Sequence, residues 1–195
     1  MRSRWGVSAA VVFLLAVPLA VLMDGVFSVD AEATLHLVCA LGFALLAGAV
    51  FSFRTPRWLT WVGCLSAGAM AVIFLLQGIS NLVPNDALHR IAFQILGQTP
   101  ERVLPDLIVA WFVGLLLTDS RGWTRTLGWV VMALVVGVEV LGYASLLLGS
   151  SIFVVVPALK LALLLPFVWL LCESAKKLAR GGGEPPLPGS LAAPA

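Results

Sequence analysis

The strongest constraint on this chain is the recurrence of apolar runs of about 17 to 25 residues, the length that carries a helix across a ~30 Å hydrocarbon core. Six such runs can be drawn, at about residues 6–23, 33–53, 58–82, 103–118, 126–147 and 152–172. With 61% hydrophobic and only 11% charged residues, a water-soluble fold of this size has no interior able to hide that much apolar surface. The expected fold is an all-α integral membrane protein. Residues 1–180 form a six-transmembrane-helix bundle with a short amphipathic helix between the third and fourth spans, and residues 181–195, rich in Gly, Pro and Ala, form a disordered cytoplasmic tail.

Arg2 and Arg4 ahead of the first run also describe a secretory leader. The run is longer than a usual leader core and has no A-x-A site before Asp24, so it is read as the first span. Numbering the connections alternately sends Arg2, Arg4, Arg54, Arg57, Arg121, Arg125, Lys176, Lys177 and Arg180 to one side, and only Arg90 and Arg102 to the other. That asymmetry predicts a multi-pass cell-membrane protein with both termini in the cytoplasm. Trp5, Trp58, Trp61, Trp123 and Trp169 fall near span ends, where indole rings prefer the interface.

Within the spans, Ala40, Ala44 and Gly48 repeat every four residues, as do Gly63 with Ala67 and Cys64 with Gly68, predicting seams of close helix approach. Asn85 or Asp86 can cap a short helix with Leu88, Ile91, Ala92, Ile95 and Leu96 on one face and Gly97 at its end. Such a helix lies on the membrane surface or roofs the bundle. Cys39, Cys64 and Cys172 form no CxxC pair and are read as packing residues.

The residues able to carry chemistry are few. Glu139 and Lys160 sit near the middles of the last two runs. In an antiparallel hairpin both lie about 12 Å from the turn, level with each other. Intramembrane charges face the bundle interior, pair, and mark solute or ion routes. Tyr143 lies one turn from Glu139, and Pro157 frees a carbonyl near Lys160. Gln77 and Asn81, four apart on the third span, can bond a neighbouring helix or line a polar pocket with them. The bland alternative is a buried ion pair that sets helix register only.

His36 and His89 both fall on the side away from the basic turns. Two histidines at one face can ligate haem b axially, or a metal with a nearby carboxylate, but ordinary hydrogen-bonding roles account for them as well. No cofactor is therefore expected, with haem b as the alternative. There is no phosphate-binding Gly-rich loop, no HExxH and no G-x-S-x-G, so no catalytic residue is assigned and an enzyme is not the leading reading.

The expected function is a carrier or sensing subunit for a small polar solute or ion. A non-catalytic assembly subunit is the alternative, and a haem-binding electron-transfer subunit a further one. The expected partners are the lipid bilayer and either other membrane subunits or a second copy; nothing points to nucleic acid.

Overall fold

The computed structural model describes residues 3–27, 30–83, 85–96, 100–148 and 165–181, with side chains except at Ser3, Phe27, residues 100–102, Glu139, residues 141–148, Arg180 and Gly181. All secondary structure among them is helical. The elements are α1 (Ser3–Phe27), α2 (Ala31–Val50), α3 (Arg57–Leu82), α4 (Asp86–His89) running into a π-helical turn (Arg90–Ile95), α5 (Pro100–Thr118), α6 (Trp123–Leu148) and α7 (Leu165–Gly181). Three helical stretches, Arg4–Val26, Ala31–Val50 and Arg57–Leu82, are long and apolar enough to cross a membrane. Val103–Thr118 and Trp123–Val138 are shorter apolar helices. These lengths and compositions point to a membrane protein. Residues 152–164 of the sixth expected span, and all of the tail after Gly181, lie outside the described residues.

Local chemistry sets the helix starts. Asp30 accepts a hydrogen bond from the Ala33 amide at 2.8 Å, and Glu32 sits in the first turn of α2, both favourable to the positive end of the helix dipole. Asn85 caps α4 in the same way, accepting from the Leu88 amide at 3.0 Å. Pro56 precedes α3 and caps nothing with its side chain. Pro18 and Pro105 are accommodated inside α1 and α5.

The segment between α3 and α5 differs from a regular amphipathic helix. The Leu96 amide donates to the carbonyl of Ile91, five residues back, at 3.0 Å. This wider turn rotates the following side chains relative to a 3.6-residue helix. Ala92 is therefore fully buried and Leu88, Phe93 and Leu96 half-buried, while Ile91 and Ile95 are exposed instead of sharing the inner face.

Helix packing closes a ring: α1 on α2, α2 on α3, α3 on α5, α5 on α6, α6 on α7 and α7 back on α1, with the α4 and π segment laid against α3. Glycines permit the tightest approaches. A Cβ at Gly63 would lie 2.7 Å from Cγ of the fully buried Trp111, and one at Gly48 would lie 2.9 Å from the Trp5 ring. Gly68, in the second expected seam, meets nothing within 4 Å.

Aromatic rings run through this ring of helices in an unbroken series. Phe53 meets Trp111 at 5.8 Å between centroids, Trp111 meets Phe112 at 5.0 Å, Phe112 meets Phe167 at 6.3 Å, and Phe167 stacks on Phe13 at 3.8 Å. Phe13 then meets Phe43 at 4.8 Å, and Phe43 meets Phe74 at 5.4 Å. Side chains of this size fill the space that an open pore would need.

The ring has two chemically distinct ends. At one, Gly6 of α1 packs against Ser174 of α7 and Phe53 of the α2–α3 turn, and that turn bonds to the α5–α6 turn. This is the basic end. α2 and α4 start at the other end, where α1 and α3 finish.

Candidate functional site

Two polar clusters stand out, one at each end. At the basic end, Asp119 accepts hydrogen bonds from the Arg54 amide at 2.9 Å and from the Lys177 ammonium. Lys177 also lies 4.4 Å from the centroid of the Phe53 ring, a cation–π contact. The Thr118 hydroxyl reaches the Arg54 carbonyl at 2.6 Å. Glu173 of α7, only 2% exposed, accepts from the Ser120 hydroxyl at 3.0 Å and has Lys176 at 3.9 Å. Lys176 donates to the Arg121 carbonyl and, at 2.6 Å, to the Thr124 hydroxyl. The Trp169 indole donates to the Thr124 carbonyl at 2.7 Å.

Asp119, Glu173, Lys176 and Lys177 each have a partner on another element, so the arrangement works as a clasp tying α7 to two turns. Sequence reasoning missed it. The one available signal was the Glu173–Lys176–Lys177 spacing, which puts acid and base on one helix face.

At the other end, His36 of α2 and Gln77 of α3 each lie about 8 Å inside their helix ends, so they are level. His36 packs on Phe74 at 5.5 Å. Phe74, Gln77 and Asn81 fall at i, i+3 and i+7 on α3, so the imidazole approaches the amide-bearing face. Gln77 is 1% exposed. His36 Nδ1 and Asn81 Nδ2 are buried with no hydrogen-bond partner among the described residues, and such a group costs ~1–3 kcal/mol while it stays unmet.

Above them lies the π turn. Its Phe93 ring meets His36 at 5.8 Å and His89 at 4.7 Å, so the two histidines converge on one phenyl group. Among the described residues, no group of three or more His, Cys, Asp or Glu is placed to hold a metal ion.

Of the five residues expected to form one pocket, Gln77 and Asn81 have described side chains. Gln77 and Asn81 stand on α3, which packs on α2 and α5, whereas α6, carrying Glu139 and Tyr143, packs on α5 and α7. The side chains of Glu139 and Tyr143 and the whole of Lys160 lie outside the described residues. His36 packs on Phe74, one turn before Gln77 on α3, a convergence that residue spacing within one helix does not reveal.

A third feature is apolar. Leu37, Ala40, Leu41 and Ala44 of α2 with Ala71, Val72 and Leu75 of α3 line a shallow groove of about 330 Å³.

No family model, no curated protein and no solved structure matches this chain. The class that the fold and site define is therefore the structural one alone: a helical protein with three helices of membrane-spanning length, clasped at a basic end and polar inside at the other.

Proposed function

We propose that the chain is a six-span membrane protein, termini cytoplasmic, that binds a small polar solute as a carrier or sensing subunit. The observation that carries this reading is that His36 Nδ1 and Asn81 Nδ2, beneath the π turn, are buried and meet no hydrogen-bond partner among the described residues. Polar groups at membrane depth are expensive, and they mark solute pathways when they face the interior of a bundle.

An imidazole and two amides offer donors and acceptors without a fixed charge. They suit an uncharged hydrogen-bonding solute, with Phe74 and Phe93 as apolar walls. The aromatic series from Phe74 to Phe53 separates this site from the basic end, so access belongs to the outer side in this conformation. Glu139, Tyr143 and Lys160 form the second polar element of the proposal, on the hairpin of the last two spans.

The test is solute binding and uptake in proteoliposomes, using a panel of neutral polar solutes and ions. Gln77→Leu and Asn81→Leu should each abolish or strongly weaken binding of the solute that the wild type takes. Glu139→Gln and Lys160→Met, singly and together, should block its release inside or its coupling to protons. If all four variants handle every solute as the wild type does, the reading fails.

An assembly subunit is the second reading, and one observation favours it. The groove between α2 and α3, floored by Ala40, Ala44 and Ala71, has the small residues that let a partner's transmembrane helix approach closely. Purification as a stoichiometric complex with a second membrane protein would support it, and strictly monomeric behaviour would count against it.

A further inference from the structure

We infer that the basic end is a docking surface for the headgroups of anionic phospholipids, centred on the paired α2–α3 and α5–α6 turns. The inference rests on the membrane reading above but concerns a different face of the molecule from the solute site.

The two turns are pinned side by side by the Arg54–Asp119 and Thr118–Arg54 hydrogen bonds. They present Arg54, Arg57, Arg121 and Arg125, all exposed. Both described acids of this end are already engaged, Asp119 by Lys177 and Glu173 by Ser120 and Lys176. Among the described residues none of the four guanidinium groups is in an ion pair, so the patch carries uncompensated positive charge. Guanidinium matches phosphate oxygens in planar, two-point geometry and holds its charge at any working pH.

What makes the complementary anion a lipid rather than a free phosphate is the rest of the surface. Trp58, Trp61 and Trp123, at 68%, 57% and 63% exposure, stand beside these arginines, as interfacial indoles do at headgroup level. Further along α3 and on α2, Leu65, Val72 and Leu41 are also exposed, continuing the surface as apolar helix flank. A phosphodiester over acyl chains has the same order of charge, amphipathic layer and hydrocarbon. The opposite end lacks this sequence: its exposed Asp24, Asp30, Glu32 and Asp86 would repel the same headgroup.

The experiment has two arms. Purified protein is first floated with vesicles of zwitterionic lipid alone and with vesicles containing an anionic phospholipid. Protein reconstituted in the mixture is then re-extracted, and its retained lipids are measured by native mass spectrometry. Expected are co-flotation with both vesicles, enrichment of the anionic lipid on the protein, and about a fivefold loss of that enrichment for each of Arg57→Gln, Arg121→Gln and Arg125→Gln. Arg90→Gln, at the far end, should leave it unchanged. Co-flotation with no anionic preference, or enrichment untouched in the triple variant, overturns the docking surface alone. Failure to float with either vesicle overturns the membrane reading and this inference with it.

Discussion

The charged cluster at the basic end and the polar cluster at the far end use their side chains in opposite ways, although Ser174 Oγ at the basic end is also buried with no partner among the described residues. At the basic end both described acids meet donors: buried Glu173 has Ser120 and Lys176, and half-buried Asp119 has Lys177 and a backbone amide. At the far end His36 Nδ1 and Asn81 Nδ2 are buried without a partner among the described residues. A satisfied network fixes one arrangement and has nothing left to offer a ligand. An unmet one holds hydrogen-bonding capacity in reserve, at a cost in stability. The contrast teaches that polarity inside a helical bundle becomes a functional clue only after its internal partners have been counted.

The comparison can be broken by mutation. Glu173→Ala should have the largest effect, lowering stability by ~2–3 kcal/mol, because it strips the charge-assisted bond from Ser120 and removes the carboxylate beside the Lys176 ammonium. Thermal unfolding in a mild detergent reads the change, and an unaltered midpoint would show that the clasp fastens nothing. Asp30→Ala, which removes the cap of α2 at the far end, should cost ~1 kcal/mol by the same measurement. Asn81→Leu should cost nothing or raise stability, since the unmet Nδ2 is replaced by an apolar atom. A loss as large as that of Glu173→Ala would mean that Asn81 is part of a structural network, and the contrast between the ends would disappear.

The asymmetry was partly legible in the sequence. The first five apolar runs located α1, α2, α3, α5 and α6, because a long apolar run has few other fates. Pro56 located the first basic turn, and Asn85 the start of α4. Gln77 and Asn81 could be read as a pair because periodicity alone places residues four apart on one face. The clasp could not be read so directly, since Ser120–Glu173 and Asp119–Lys177 join residues 53 and 58 positions apart. Nor does spacing show that His36 on one helix meets Phe74 on the next, or that a π turn throws Ile91 and Ile95 outward. Those facts depend on how neighbouring helices settle against each other, which single-helix periodicity does not encode.

The account rests on one orientation, with the clasped basic end inside the cell and the roofed polar site facing out. Sidedness labelling tests it most directly. With Cys39, Cys64 and Cys172 replaced by alanine, single cysteines are introduced as Asp86→Cys and Arg121→Cys, both at exposed positions at opposite ends. In intact cells, a membrane-impermeant thiol reagent should label the Asp86→Cys protein and leave the Arg121→Cys protein unlabelled until the membrane is opened. Labelling of Arg121→Cys in intact cells, or equal labelling of both, would contradict the account.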